Sequence, residues 1–322
     1  MICDEGWEEF NQSPSLPKLL TEAWNLRRKT FPDIIHFAVP GGKHYEGKHF
    51  SNSGRFLNVS ITGEACALQC DHCQATMLKG MIPAPTPEKL QELGTMLREK
   101  GVTGLLITGG CNSAGQVPLK TFFSALAYLK SLDFTIHVHT GLADKETAVG
   151  LKRAGVDKVF LDMIGDTATI QRVYHLDCQP RAFRDTLEIL LAEGLEVVPH
   201  VVIGLNYGKI IEEEALIQTL SDYSLATLVL VALRPVPKTP MGGVLGPDAA
   251  EIIRITAQTR LWNPALKLSF GCARPYAQKA WLERGLIMAG INTLAFPLDE
   301  TIDFAVAHGL KSVMSEMCCG GL

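Results

Sequence analysis

Residues 56–73 read Phe-Leu-Asn-Val-Ser-Ile-Thr62-Gly-Glu-Ala-Cys66-Ala-Leu-Gln-Cys70-Asp-His-Cys73. The first seven alternate with the period of a strand, Leu57, Val59 and Ile61 against Asn58, Ser60 and Thr62. The strand runs directly into a polar loop that carries three thiols. Such a loaded loop belongs to α/β folds, whose sites lie beyond the carboxyl ends of their strands. The same pattern continues outward along the chain. Apolar, β-branched runs at 56–62, 104–108, 135–140, 158–163, 197–203, 227–234, 267–272 and 292–296 alternate with helical stretches at 87–100, 119–131, 145–154, 182–193, 211–223, 248–262, 276–289 and 301–308. Gly101, Gly155, Gly194 and Gly290 each follow a last helical residue, where a glycine ends a helix. Strand–helix alternation makes a parallel sheet, and eight such units predict an α/β fold of the TIM-type (β/α)8 barrel kind. A doubly wound open sheet is the alternative, since alternation alone does not show closure.

The barrel is read over residues 55–311. Residues 1–54 are read as an N-terminal extension, with a helix at 17–30 and a turn-rich connector at Pro40-Gly41-Gly42. Residues 312–322 are read as a C-terminal tail carrying the pair Cys318-Cys319.

The composition narrows the function classes. The chain has 322 residues, a net charge of −4, 47% hydrophobic and 20% charged residues. That is enough for a single large core without disulfides. Its nine cysteines cannot all pair within one chain, and no secretory leader precedes them, so a reduced, cytoplasmic setting is expected. No uninterrupted apolar stretch reaches the ~18 residues of a spanning helix, so no membrane partner is expected. Thirty basic residues against 34 acidic give no nucleic-acid footprint.

The strand faces predict what the lumen holds. Outward residues must be apolar to meet the helices, which leaves Asn58, Ser60, Thr62, His137, His139, Asp162 and His200 pointing inward. Buried polar groups are costly unless paired, so a polar ligand is expected there, with a network of water and satisfied side chains as the alternative.

Three thiolates at Cys66, Cys70 and Cys73 suit three irons of a [4Fe–4S] cluster, leaving the fourth iron open. A zinc knuckle would require a fourth ligand at a regular offset, and none follows. Scattered core cysteines would not gather in a polar loop. The spacing Cys-x3-Cys-x2-Cys after the first barrel strand resembles that of the radical S-adenosylmethionine (SAM) enzymes. The resemblance implies that these cysteines bind a [4Fe–4S] cluster whose open iron is chelated by SAM. Reductive cleavage would then yield a 5′-deoxyadenosyl radical that abstracts hydrogen from an unactivated carbon.

The resemblance also implies cofactor contacts. His72 stands where an aromatic residue usually packs on adenine. Ile107-Thr108-Gly109-Gly110 is similar to the Gly-Gly segment that meets the methionine amino group, and Cys111-Asn112 follows where an acidic residue is usual. Pro199-His200-Val-Val-Ile203-Gly204 is similar to the strand lying against adenine. Asp162 to Asp166 occupies the place of a polar contact to ribose or methionine, and His139 faces the same lumen.

Cys272 ends the seventh expected strand, and Cys318-Cys319 lies in a Gly-rich stretch that has no structural need for two thiols. These three suggest a second iron–sulfur cluster or another thiolate-bound metal. Cys3 or Cys111 would complete it, or else Arg274 or a substrate sulfur. A free thiol pair is the alternative, and Cys178 is assigned no role.

Phe31–Gly41, Gly-Cys272-Ala-Arg274-Pro275 and the terminal Cys-Cys resemble the biotin synthase-related branch, and within it the components of the archaeal-type split (two-protein) lipoyl synthase. That implies sulfur insertion into an octanoyl chain on a lipoyl carrier protein, with the auxiliary cluster as sulfur donor. It also implies a second, related radical SAM subunit and an electron donor such as ferredoxin or flavodoxin. A radical mutase, methylase or cofactor-maturation enzyme of the same branch is the alternative within the class. A non-catalytic iron–sulfur or zinc-binding protein is the alternative outside it.

Overall fold

Alternation of strand and helix forces the strands to run one way, because each helix carries the chain back to the starting edge. In the computed structural model, which describes Phe10 and residues 15–322, eleven strands form one parallel sheet. They are β1 (Ile34–Ala38), β2 (Phe56–Ser60), β3 (Ile82–Pro83), β4 (Gly104–Thr108), β5 (Thr135–His139), β6 (Lys158–Met163), β7 (Val197–Ile203), β8 (Thr227–Ala232), β9 (Lys267–Phe270), β10 (Thr293–Ala295) and β11 (Lys311–Ser315). The order is β11-β1-β10-β9-β8-β7-β6-β5-β4-β2-β3.

All eight strands expected from the sequence are present, some shorter at an end, and β1, β3 and β11 are additional. Ile34–Ala38, within the stretch read as an extension, belong to the sheet, because β1 pairs with both β10 and β11. Ile34–Ala38, which lie between Pro32 and the Pro40-Gly41-Gly42 connector, have no element of their own in the sequence reading. The TIM-type α/β expectation holds: the parallel sheet is curled, its edge strands are β11 and β3, and a seam separates β11 from the β2–β3 side. The seam is bridged by other means. The Glu316 carboxylate accepts from Ser53 N–H (2.9 Å), the Ser53 hydroxyl (2.7 Å) and Arg55 N–H (2.7 Å). Gly41 N–H donates to the Phe56 carbonyl at 2.8 Å.

Helix ends follow the sequence signals. Thr86, Asp144 and Asp166 cap the helices Pro87–Glu99, Lys145–Arg153 and Thr167–Tyr174. Gly101, Gly155, Gly194 and Gly290 all take positive φ at helix C-termini, as expected. The helix Thr167–Tyr174 was not read from the sequence. Among the described residues, no helix is long and apolar enough to cross a membrane.

Leu57, Val59, Ile61, Ile136, Val138, Leu161, Met163 and Val201 face outward into the helix-covered core. The lumen differs from the wholly polar one expected. A chain of inward rings runs Phe56–His137–Phe160–His200–His139, with centroids 5.2, 5.1, 5.0 and 5.8 Å apart. Below the polar band, Ala38, Phe160, Val198, Val229 and Ala295 form a separate apolar cluster. Phe160 and Val198 share strand faces with Asp162 and His200, so one face carries both an apolar and a polar layer.

Candidate active site

The Cys66–Cys73 loop leaves β2 through Gly63, at φ 59°, and is folded tightly on itself. Cys73 N–H and Gln74 N–H both donate to the Cys70 carbonyl, at 3.0 and 2.8 Å, which draws Cys70 and Cys73 together. Gln69, Gln74 and Ala75 hold φ of 45°, 42° and 57°, values costly for residues with a Cβ. The surroundings compensate. Ala67 N–H donates to Cys111 O at 2.8 Å, Asp71 N–H to Val173 O at 2.9 Å, and the Thr76 hydroxyl to Cys73 O at 2.6 Å.

Cys70 is buried, and Cys66 and Cys73 are half-buried. The Cys73 thiol is held down to about 4, first by the hydrogen bond from Cys70 and then by one from His72. The same bond, with burial, pushes Cys70 up, so the pair shares a single proton. The arrangement thus favours a thiolate before any metal arrives.

Gly109 and Gly110 end β4 against this loop. A Cβ on Gly110 would sit 2.1 Å from the Ala65 carbonyl oxygen and 2.4 Å from Cys66 Cβ. Gly110 N–H donates to Thr62 Oγ1 at 2.7 Å. The need for glycine here therefore comes from packing on the cysteine loop itself. Cys111 comes next. Burial, followed by the charges of Cys66, Asp162 and Cys73, pushes its thiol up to about 12. It stands with the triad, not with the second set it was expected to complete.

Two expected contacts are engaged elsewhere. Asn112 is exposed, and its Oδ1 accepts from Ala114 and Gln116 N–H at 3.0 Å, so its side chain shapes its own turn. Ile203 lies in the outer core, on the opposite face of β7 from His200. His72 packs beside Tyr174 at 5.3 Å, and its Nδ1 is buried without a hydrogen bond. At the end of the neighbouring strand, His139 Nε2 lies 3.5 Å from Asp162 Oδ1. Burial pushes Asp162 up, but His139, His200 and His72 outweigh it and hold the carboxyl at about 2. His200 is lowered to about 4, by burial and then by His139, while its Nδ1 stands 3.0 Å from Val198 O. Asp166, read with Asp162, is committed as the cap of its helix, accepting from Thr169 N–H at 2.7 Å.

The second thiol set is assembled by residues 316–322, which turn inward at Glu316 and enter the lumen. Cys319 is 6% exposed and packs into the apolar cluster with Phe160, Val198 and Val229. Its carbonyl accepts from the Ser269 hydroxyl at 2.8 Å. A Cβ on Gly320 would meet the Phe160 ring at 3.0 Å, and one on Gly321 would meet His137 Cε1 at 2.4 Å. The glycines that read as a frayed end let the backbone lie flat against lumen rings. Cys319 hydrogen-bonds Cys318 and lowers it. Cys272 is an exposed residue just past β9; desolvation of its sulfur and then the charge of Cys318 push its thiol up, and Cys318 in turn stands within electrostatic reach of His139.

Cys272, Cys318 and Cys319 are thus gathered, with the His139–Asp162 pair between them and the Cys66–Cys73 loop. Cys178 stands apart, next to Asp177. Cys3 lies outside the described residues. Sequence reading missed Tyr174, half-buried beside His72 on the unread helix.

The residues present fit the expected cluster. Three thiols sit on one tight loop, one is already biased to thiolate, and the same loop carries a buried His72 Nδ1 without a hydrogen-bond partner. Among the described residues, no three His, Cys, Asp or Glu side chains close on a single ion. A four-iron cluster takes its thiolates at separate irons and so needs them farther apart than one ion does.

Comparison with known proteins agrees. Residues 60–222 match the family model described as the Radical SAM superfamily. Biotin synthase of Clostridium perfringens is 25% identical over 278 residues, covering 84% of this chain and 80% of that protein. Biotin synthase 2 of Paracoccus denitrificans is 25% identical over 80% of this chain and 81% of its own. Among solved structures, methylornithine synthase superimposes with a TM-score of 0.65 at 14% identity, covering 97% of this chain and 94% of that one. A maturase of the [FeFe]-hydrogenase does so at 0.66 and 14% identity, covering 96% and 70%. At that identity these two speak for the fold alone.

Proposed function

Because the chain belongs to the radical SAM superfamily, in its biotin synthase-related branch, we propose that it inserts sulfur into an octanoyl chain carried by a lipoyl carrier protein, working with a second, related subunit. The observation that carries this reading is the gathering of Cys272, Cys318 and Cys319 in the lumen that the Cys66–Cys73 loop opens onto. A radical source and a sulfur source have to reach the same carbon, and one barrel mouth offers both sets of thiols.

An octanoyl C–H bond has no acidity for a base to exploit. When bound, the cluster and SAM supply a carbon-centred radical able to take that hydrogen. The protein's part is to hold and to exclude. Cys66, Cys70 and Cys73 are the ligands assigned to the SAM-binding cluster, with Tyr174 and His72 walling them from solvent. Cys272, Cys318 and Cys319 are assigned to an auxiliary cluster that serves as sulfur donor. The His139–Asp162 pair offers a fixed charge and a hydrogen bond to a polar group between the two sets.

The test is anaerobic reconstitution with an iron count, followed by turnover with octanoylated carrier, the partner subunit and ferredoxin or flavodoxin. About eight irons per chain mean two clusters, and about four mean one. Cleavage of SAM with no sulfur transferred to the octanoyl group would overturn the substrate. The biotin precursor, suggested by the relatives' names, is the control.

A further inference from the structure

Asp71 lies between Cys70 and Cys73 in sequence and is secured from both ends of its carboxylate. Its Oδ1 lies 3.0 Å from His175 Nε2, and its Oδ2 accepts the Tyr207 hydroxyl at 2.5 Å. The other ring nitrogen of His175, Nδ1, stands 3.0 Å from the Leu68 carbonyl, so one imidazole spans the loop from Leu68 to Asp71. The backbone of Asp71 is tied as well, N–H to Val173 O at 2.9 Å and carbonyl from Met241 N–H at 3.3 Å. Behind Tyr207, the Arg172 guanidinium lies 3.9 Å from the ring centroid. The loops after β6 and β7 therefore converge on the Asp71 carboxylate, and the loop after β8 holds its backbone carbonyl.

Two features separate this from an ordinary surface network. The Asp71 side chain is only 13% exposed, so both its oxygens meet their partners with little competition from water. His175 also holds φ 58° at the C-terminus of its helix, a conformation costly for a residue with a Cβ. The loop itself has three more residues in that region, Gln69, Gln74 and Ala75, and it keeps its shape only while outside contacts fix it.

We propose that His175 and Tyr207 are positioning residues that clamp Asp71 and so fix the Leu68–Cys73 turn in the geometry on which SAM binding at the loop depends. The proposal rests on the assignment of Cys66, Cys70 and Cys73 as cluster ligands. Neither residue touches a thiol; Tyr207 acts through Asp71, and His175 through Asp71 and the Leu68 carbonyl.

The experiment compares the full-length reconstituted chain with Tyr207→Phe, His175→Ala, the double variant and Asp71→Asn. Readouts are the iron count, the electron paramagnetic resonance of the reduced cluster with and without SAM, and KM and kcat for SAM cleavage. Tyr207→Phe and His175→Ala should load iron as the wild type does and raise KM for SAM by about tenfold, the loss of one charge-assisted hydrogen bond. They should also alter the spectral change that SAM induces, with kcat affected less. The double variant should do at least as much as Asp71→Asn, since it removes both bonds to the carboxylate and the His175 contact to the Leu68 carbonyl as well. His175→Gln, which retains a donor, should recover part of the loss. Wild-type KM and spectra in Tyr207→Phe and His175→Ala would overturn the positioning role. If His175→Ala does not fold, Tyr207→Phe, which removes a single oxygen, decides alone. A wild-type chain that takes up no cluster would overturn the ligand assignment, and the positioning role with it.

Discussion

Ser269 donates its hydroxyl to the carbonyl of Cys319 at 2.8 Å, across 50 positions of sequence. That bond joins β9 to the segment holding the Cys318–Cys319 pair, and both partners are buried. Ser269→Ala leaves a buried carbonyl unpaired, at a cost of about 1–3 kcal/mol borne by the segment, not the sheet. The expected result is faster labelling of Cys318 and Cys319 by a thiol reagent, with global unfolding little changed. Unchanged labelling would mean that packing on Phe160 suffices.

The two thiol sets separate by function. Cys66→Ala should abolish SAM cleavage altogether. Cys318→Ala with Cys319→Ala should keep reductive cleavage and eliminate sulfur-containing product. Both are read in one assay, 5′-deoxyadenosine against product by mass spectrometry. Normal product from the double variant would end the sulfur-donor reading.

Gly110 has no room for a side chain. A Cβ would fall 2.1 Å from the Ala65 carbonyl oxygen, a backbone atom in the cysteine loop with little freedom to move. Gly110→Ala should therefore displace the loop, at a cost of at least about 1–3 kcal/mol, and reduce iron uptake at the triad. Retained fold by circular dichroism with lost iron is the expected signature. Full iron loading would show that the loop tolerates the shift.

His137 sets a pH dependence of stability. It is 1% exposed, neither ring nitrogen has a hydrogen-bond partner, and burial lowers it to about 4. The unfolded ring takes up its proton near the ordinary 6.5 and the folded ring only near 4, so stability is constant above that interval and falls as pH drops through it. The loss is worth roughly 3 kcal/mol at most. His200, also lowered to about 4, adds in the same direction. The urea midpoint should fall between pH 7 and pH 5, and less steeply in His137→Leu; parallel curves would remove His137 as the cause.

Much of this fold was legible because period-two strands and glycine-terminated helices are local signals. Lys158–Met163 and Val197–Ile203 were bounded to the residue. Strand β1 was missed because its neighbours carry turn chemistry, and only pairing with β10 and β11 makes Ile34–Ala38 a strand. The Cys66–Cys73 triad could be read because its thiols are close in sequence. The position of Cys111 could not, since it depends on how Gly110 lies against Ala65. Asn112 and Ile203 had the right neighbours in sequence, but one turned into its own loop and the other to the outer face. His175 and Tyr207 left no signal, because their meeting at Asp71 depends on three loops converging in space.

The bridge from Glu316 to Ser53 spans 263 positions, and β1 finds its partners only in β10 and β11. Contacts this distant close slowly, because so much chain must first be brought to order. During synthesis, the stretch from β2 to β9 has its neighbours in turn, while Ile34–Ala38 waits unpaired with its apolar residues exposed. The thiol-bearing segment seats on Phe160, Val198 and His137, so it docks only after β5, β6 and β7 have paired. Closure of the seam and delivery of Cys318 and Cys319 are thus one folding event, and a chain halted before Glu316 would have neither.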